Sequence, residues 1–189
     1  MTRVLPHLIG LVGPAGCGKD TVRQILEQDH GYTGLAFADP LRAMIEALLR
    51  QVGQTTDWMT DRQLKETEIP GLGASYRHLA QTLGTEWAHQ CLGRGFWIRC
   101  AELALQHARE RGARRIVLSD VRFATEAAWI KEQGGQLWRI HRPQAAPVRE
   151  HVSESAGQLI ECDLAIYNGG SLEQLWSKVY DAAMGRIMA

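Results

Sequence analysis

Residues 13–21 read Gly-Pro-Ala-Gly-Cys-Gly-Lys-Asp-Thr, and this stretch decides the fold. An apolar run, residues 8–12, precedes it, and residues 21–26 follow it with apolar side chains at helical spacing. The order is therefore strand, glycine-rich loop and helix, the context in which the pattern G-x-x-x-x-G-K binds the phosphates of a nucleotide. A plain turn between a strand and a helix needs no lysine at this position. We therefore predict a site for a nucleoside triphosphate.

The chemistry of such a loop lies largely in its backbone. Glycines allow the loop to turn its N–H groups inward around phosphate oxygens, and the helix N-terminus adds a partial positive charge. Lys19 is expected to reach the β- and γ-phosphates. The predicted nucleotide-binding residues are Gly13, Ala15, Gly16, Cys17, Gly18, Lys19, Asp20 and Thr21.

One position departs from the usual pattern. Asp20 stands where Ser or Thr normally offers a hydroxyl to Mg²⁺. A carboxylate still suits a hard cation, and negative charge is tolerated in the first turn of a helix. We therefore expect Asp20 to hold Mg²⁺ directly or through water, and Thr21 to hydrogen-bond a phosphate oxygen.

Composition limits the classes of protein to consider. The 189 residues suffice for one well-buried core, which predicts a single domain, residues 1–189, with an inserted lid. Lys plus Arg and Asp plus Glu both total 21, so the neutral net charge favours small ligands over nucleic acid or a membrane surface. Four scattered cysteines predict reduced thiols, and without a long apolar run or an export signal we expect a cytoplasmic protein.

Strands and helices alternate along the chain, which predicts an α/β fold with a parallel sheet covered on both faces. Asp39 is expected to cap the helix that follows it. A polar connection, residues 53–75, is expected to be mobile and to contain a short helix near 61–68. Further strands are predicted at 35–38, 115–120, 136–141 and 164–167, and helices at 41–49, 76–88, 96–105, 124–133 and from about 171.

Residues that directly follow strands are candidates for the site, because ligands of such sheets bind beyond the carboxyl ends of the strands. Asp120 ends an apolar strand, as a carboxylate that holds Mg²⁺ or its waters does. The alternative is an aspartate that caps a helix or lies in a turn. Asp20 and Asp120 are thus the predicted metal ligands.

Phosphoryl transfer requires positive charge around the migrating group and exclusion of water. Arg122 is placed to point toward phosphate, although an ion pair with Glu126 is an equal alternative. Residues 142–158 contain Arg142 and Arg149 and fit a closing lid, with a solvated loop as the alternative. The predicted catalytic residues are Lys19, Arg122, Arg142 and Arg149.

Several further motifs occur together and in a fixed order. They are GKDT at 18–21, FADPLR at 37–42, LGTEW at 83–87, FW at 96–97, SDVRF at 119–123, GGQLWRIHRP at 134–143, HVSE at 151–154 and DLAIYNGGSLEQL at 163–175. With them the chain resembles the phage-type deoxynucleoside monophosphate kinases, within the wider group of nucleoside monophosphate and dephospho-coenzyme A kinases. The resemblance implies a P-loop kinase with a five-stranded parallel sheet. It also implies Mg²⁺-dependent transfer of the ATP γ-phosphate to a deoxynucleoside monophosphate, in a host cytoplasm if the chain is phage-encoded.

The resemblance also implies where the substrates bind. Arg142 would stack on adenine or touch phosphate, and Asn168 would line the adenine pocket. The acceptor would bind to the region 39–99, where Arg42 and Arg77 match phosphate geometry. For Trp87 and Trp97, core packing is the alternative. The full set of candidates for the acceptor is Asp39, Arg42, Arg77, Gln81, Glu86, Trp87, Trp97, Asp120 and Arg122.

The sequence leaves alternatives open. Members of the family often carry an arginine shortly after the GTEW-type motif, where this chain has His89. An acceptor contact is therefore either weaker in this chain or supplied by Arg94 or Arg99. A kinase of another phosphorylated acceptor, of the dephospho-coenzyme A or phosphomevalonate type, would have the same ATP half-site. A nucleotide-dependent regulator without acceptor turnover is a third reading, and both monomer and homodimer are compatible with the sequence.

Overall fold

Strands and helices alternate in the computed structural model, which describes residues 5–143, 157 and 159–186. The strands are β1 (Leu8–Val12), β2 (Thr33–Leu35), β3 (Glu68–Ile69), β4 (Ala74–Ser75), β5 (Ile116–Val121), β6 (Gln136–His141) and β7 (Leu164–Tyr167). The α-helices are α1 (Lys19–His30), α2 (Asp39–Gln51), α3 (Asp57–Thr60), α4 (Tyr76–Gln81), α5 (Phe96–Glu110), α6 (Ala124–Glu132) and α7 (Leu172–Ala183). A 3₁₀ turn covers Leu64–Glu66 and a π-helix covers Thr82–Leu92.

The chain divides into two compact units. The sheet unit comprises Met1–Ala36 and Ala101–Ala189, and the helical unit comprises Phe37–Cys100. The helical unit spans the segment 39–99 that the sequence assigns to the acceptor. The division into one kinase domain with an acceptor region and a lid stays a prediction.

A five-stranded sheet forms the centre of the sheet unit, in the order β2-β5-β1-β6-β7. Every neighbouring pair is parallel, and all five residues of β1 are buried. A parallel strand covered on both faces requires a continuous apolar run, which explains the sequence Leu-Ile-Gly-Leu-Val. The predicted five-stranded parallel sheet is confirmed.

Helices cover both faces of this sheet. Ile9 and Leu11 belong to a buried cluster with residues of α1 and α7. Gly10 points to the opposite face because side chains alternate along a strand. A Cβ atom at Gly10 would lie 2.6 Å from Cδ1 of Ile130 in α6, so glycine is required for this close approach.

The helical unit has its own apolar core. Leu41, Ile45 and Leu49 recur along α2 at helical spacing and are buried together with Ile69 and Trp97. β3 and β4 pair in antiparallel orientation as a two-stranded hairpin. Within the described residues, no helix is both long enough and apolar enough to span a membrane.

Four local predictions differ from the structure. The second strand covers Thr33–Leu35 and not 35–38. Ala36 and Phe37 are apolar because they are buried, but they lie after the end of the strand. Asp39 is the first residue of α2 and does not cap it, since the N-cap is Ala38. The connection 53–75 contains α3, the 3₁₀ turn and the hairpin in place of one helix at 61–68. The predicted helix 76–88 is α4 followed by the π-helix.

Candidate phosphate-binding site

The carboxyl ends of four adjacent strands bring the candidate residues of the sheet unit to one edge. The glycine-rich loop follows β1, Asp120 lies at the end of β5, Arg142 follows β6 and Asn168 follows β7. Because the strands run parallel, these ends meet at the same edge of the sheet, where ligands of this architecture bind. The topology therefore assembles the candidates that lie far apart in the sequence.

The loop adopts a conformation that its glycines make possible. Gly16 and Gly18 have φ angles of +74° and +104°, a region that other residues rarely enter. A Cβ atom at Gly13 would lie 2.5 Å from the carbonyl oxygen of Ile140 and 2.7 Å from Sγ of Cys17. The loop thus passes close to β6 and to its own buried side chain, which only glycine permits.

Lys19 opens α1 and folds back over the loop. Its Nζ donates hydrogen bonds to the carbonyl oxygens of Gly13 at 2.6 Å and Pro14 at 2.8 Å. Gly18 is the N-cap of α1, and the first N–H groups of an α-helix have no acceptor within the helix. The ammonium group and these N–H groups concentrate positive charge at the loop, which is the requirement of an anion site.

Cys17 fixes the loop to the core of the sheet unit. Its side chain is fully buried in the core of the sheet unit, and burial raises the pKa of its thiol although the Lys19 ammonium opposes the shift. A neutral, buried thiol supports packing and is not an activated nucleophile. All four cysteines of the chain are free, and only the backbone of Cys17 is available for a phosphate.

Asn168 contacts the loop directly. Its side-chain Nδ2 donates a hydrogen bond of 2.8 Å to the carbonyl oxygen of Cys17. The neighbouring Ser171 accepts a hydrogen bond from the backbone N–H of Gln174 and caps α7, as the predicted turn and helix start require. The contact between Asn168 and the loop was not visible in the sequence, because 151 positions separate the two residues.

Glu126 organises the segment after β5 and was not predicted as part of the site. It is buried, and its Oε2 accepts the backbone N–H groups of Arg122 at 2.8 Å and Phe123 at 3.0 Å. Burial raises the pKa of Glu126 to about 7, the Asp120 charge adds to the rise, and the two N–H donors oppose it. A Glu at the third position of a helix is a signal for this back-bonding.

Asp120 and Arg122 occupy different environments at the same strand end. Asp120 lies within β5 and is 6% exposed, whereas Arg122 is exposed. The residue that caps α6 is Phe123, so the alternative of Asp120 as a helix cap is wrong. Glu126 holds the backbone of Arg122, which leaves the Arg122 side chain at the surface of the site edge.

The donors for Mg²⁺ are few. Among the residues that the structure describes, no three His, Cys, Asp or Glu side chains cluster as a metal site. Mg²⁺ at a nucleotide is held by one or two carboxylates together with phosphate oxygens and retained waters. The exposed Asp20 at the head of α1 and the buried Asp120 at the end of β5 fit that donor set.

The lid prediction falls mainly outside the described part of the chain. Arg142 is described and exposed directly after β6. Arg149 and most of the segment 142–158 lie outside the described residues.

The acceptor candidates in the helical unit make local contacts. Nη1 of Arg42 lies 3.2 Å from Oδ1 of Asp39, and Arg77 forms an ion pair with Glu66. Trp97 is buried in the core of this unit, and its Nε1 donates to the carbonyl oxygen of Gly84 at 2.7 Å. The core-packing alternative therefore describes Trp97.

The remaining acceptor candidates lie on or beside the π-helix. Gln81 precedes it, and the motif LGTEW at 83–87 lies within it. Glu86 is exposed, whereas Trp87 is half-buried and packs edge-on against Phe96 with ring centroids 6.1 Å apart. π-helical turns are rare and occur frequently at functional sites.

Comparison with known families adds a separate line of support. Residues 72–179, more than half of the chain, match the model of the family described as deoxynucleotide monophosphate kinase. The chain belongs to this family. The resemblance drawn from the motifs is thereby confirmed, and the matched range does not include the glycine-rich loop.

Individual relatives of this family are distant. A putative deoxynucleotide monophosphate kinase of Acanthamoeba polyphaga mimivirus is 29% identical over 187 residues, covering 91% of this chain and 93% of that protein. The deoxynucleotide monophosphate kinase of Escherichia phage RB69 is 29% identical over 105 residues, 56% of this chain and 43% of the phage protein. The matched part thus spans less than half the length of the phage protein.

Among solved structures, dephospho-CoA kinase from Campylobacter jejuni is similar with a TM-score of 0.49 and 12% identity, covering 96% of this chain and 99% of that chain. This similarity is too weak to identify the fold. The fold is identified by the strand order β2-β5-β1-β6-β7 and by the conformation of the glycine-rich loop.

Proposed function

We propose that this deoxynucleotide monophosphate kinase family member transfers the γ-phosphate of ATP to a deoxynucleoside monophosphate, giving a deoxynucleoside diphosphate and ADP. The observation that carries the proposal is the phosphate loop, with Lys19 at the head of α1 on the carboxyl edge of the sheet. The family match covers residues 72–179 and is independent of this loop. Two separate parts of the chain therefore support the same chemistry.

On the donor side, the loop N–H groups and Lys19 bind the ATP phosphates. The Lys19 ammonium donates to the carbonyl oxygens of Gly13 and Pro14, and a phosphate oxygen would take the place of these acceptors. Three arginines neutralise the charge that develops on the migrating group. They are Arg122 after β5, Arg142 after β6, and Arg149.

Asp20 and Asp120 are the residues that would hold Mg²⁺. Bound there, Mg²⁺ would supply positive charge that offsets the negative charge of the phosphates. The protein needs no covalent nucleophile, because an oxygen of the acceptor phosphate attacks in line. That phosphate is largely ionised at neutral pH, so Asp39 orients the acceptor and no strong base is required.

On the acceptor side, we assign the phosphate to Arg42 and Arg77, whose guanidinium groups match phosphate oxygens in pairs. Each now pairs with a carboxylate in its own unit, Asp39 or Glu66. Both ion pairs are partly exposed, and such pairs are weak, so a dianionic phosphate can replace the carboxylate. Gln81, Glu86 and Trp87 remain the candidates for the base and sugar.

The function is tested by acceptor profiling. ADP release from ATP and Mg²⁺ is measured with each of the four deoxynucleoside monophosphates, their ribo counterparts and dephospho-coenzyme A. We expect release that depends on at least one deoxynucleotide and that Lys19→Ala abolishes. Release with dephospho-coenzyme A alone would favour the other kinase class, and ATP binding without any acceptor effect would favour a regulator.

A further inference from the structure

Asn168 ties the turn after β7 to the phosphate loop. Its Nδ2 donates to the carbonyl oxygen of Cys17 at 2.8 Å, while its backbone N–H donates to the carbonyl of His141 at 2.7 Å. The second bond continues the pairing of β6 with β7, in which His141 lies opposite Tyr167. The asparagine is therefore fixed to the sheet at the point from which its side chain reaches the loop.

The contact controls the orientation of one peptide unit. A carbonyl oxygen accepts and cannot donate, so only the NH₂ end of the carboxamide satisfies it. The C=O and N–H of a planar trans peptide point in opposite directions. Holding the Cys17 carbonyl toward Asn168 therefore turns the N–H of Gly18 the other way, away from Asn168.

Gly18 is shaped for this neighbour. A Cβ atom at Gly18 would lie 2.4 Å from Nδ2 of Asn168, closer than any side chain allows. Glycine is therefore required at this position for two reasons. It adopts the positive φ angle of +104°, and it leaves room for the carboxamide of Asn168.

We infer that Asn168 is a positioning residue of the phosphate loop, which holds the Cys17–Gly18 peptide with its N–H available to a phosphate. Asn168 acts through the loop. It therefore raises the affinity for any polyphosphate and does not affect which base is bound. The inference rests on the proposed function only for the identity of the natural ligand. This positioning role differs from a role in the adenine pocket. If Asn168 lined the adenine pocket, its replacement would weaken the binding of adenine nucleotides only.

The hydrogen bond itself can be observed without resonance assignment, because Asn168 is the single asparagine of the chain. Selective ¹⁵N labelling of asparagine gives one pair of side-chain NH₂ signals. We expect one proton of the pair to exchange slowly with solvent, and both to shift when ATP is added. Exchange of both protons at the rate of a free, solvated carboxamide would overturn the inference.

The functional consequence is tested by the dissociation constants of ATP, GTP and inorganic tripolyphosphate, measured without an acceptor. Loss of one neutral hydrogen bond predicts that Asn168→Ala weakens all three by a similar factor, roughly two- to tenfold. Asn168→Asp has the same shape but turns a carboxylate toward the Cys17 carbonyl, so it is expected to weaken them further. A loss confined to ATP, or no loss for any ligand, would contradict the inference.

Ser171→Ala is the matched control in the same turn. It removes the hydroxyl that accepts the Gln174 N–H at 3.3 Å and so destabilises the start of α7, but it leaves the bond to Cys17. We expect a lower melting temperature with unchanged affinity for the three ligands. Equal weakening by Ser171→Ala and Asn168→Ala would assign the effect to general destabilisation and overturn the inference.

These binding measurements remain separate from the kinase assay. If the wild-type protein binds the polyphosphates but shows no acceptor-dependent turnover, the proposed function fails while the comparison of Asn168 variants still decides this inference. If turnover is normal and Asn168→Ala binds like the wild type, only this inference fails.

Discussion

The phosphate loop and the acceptor candidates of the helical unit build binding sites in different ways. The loop uses backbone groups, glycines and one lysine that are contiguous in sequence. The acceptor candidates are side chains on separate elements, and Arg42 and Arg77 are held by carboxylates of their own unit. A site made of backbone groups therefore depends mainly on local sequence, whereas a site made of side chains depends on packing and on ion-pair partners that can be exchanged.

The largest expected effect is at Lys19. Lys19→Ala removes the cation that we propose accompanies the migrating phosphoryl group, so kcat is expected to fall by about a hundredfold or more. Lys131→Ala is the matched control, since Lys131 pairs with Asp163 just before β7, at the opposite edge of the sheet. Steady-state ADP release measures both variants, and near-wild-type activity of Lys19→Ala would refute the assignment of the loop.

Arg122 tests whether the strand end beside the loop takes part in transfer. Arg122→Ala is expected to lower kcat by about tenfold or more with a smaller change in the KM for ATP, because an arginine of this kind acts on the transition state. Arg114 is exposed and precedes the amino end of the same strand, so Arg114→Ala should leave both constants unchanged. A change in the KM for ATP alone would assign Arg122 to nucleotide binding.

The sequence predicted the order of strand, glycine-rich loop and helix because the glycines and the lysine that identify the loop lie within ten residues. The same reading missed Asn168 as a support of the loop and Glu126 as the acceptor of two backbone N–H groups. The Asn168 contact depends on which strand ends become neighbours in the sheet. The Glu126 contacts depend on which residue begins α6. Residue pairs 151 positions apart leave no periodic signal.

In the helical unit the sequence predicted helices but not their kind. Apolar residues three and four apart suit α-helical and π-helical turns almost equally, so the π-helix Thr82–Leu92 looked like a continuation of α4. The hairpin of β3 and β4 contains two residues in each strand, too few for an alternating pattern. Tertiary packing decides both features.

Arg77 tests the side-chain site in the helical unit. Arg77→Ala is expected to raise the KM for the acceptor by roughly tenfold while the KM for ATP stays the same, because one charge-assisted contact to phosphate is lost. Arg50 likewise pairs with a glutamate, in this case Glu46 of the same helix, and provides the matched control. Equal KM values for the acceptor in wild type and Arg77→Ala would remove Arg77 from the site.

The last prediction concerns the stability of the fold and its dependence on Glu126. Its pKa is raised from 4.5 to about 7 in the folded protein, so the folded state retains a proton that the unfolded chain releases between these values. The free energy of unfolding should therefore fall by about 3 kcal/mol as pH rises from about 4.5 to 7, and this contribution should be constant above that range.

Glu126→Gln cannot ionise and should lose this part of the pH dependence, whereas Glu132→Gln, at an exposed position of the same helix, should retain it. Urea unfolding between pH 5 and 8 gives the three profiles. Parallel profiles for Glu126→Gln and the wild type would show that Glu126 titrates normally.

The most direct test of the account follows the phosphoryl group itself. The protein is incubated with Mg²⁺, ATP labelled at the γ-phosphate and the deoxynucleoside monophosphate that most stimulates ADP release, and the products are separated. The proposed transfer predicts that the label appears in the β-phosphate of the deoxynucleoside diphosphate, one for each ADP formed. Label that appears only in inorganic phosphate, or that remains in ATP, would contradict it.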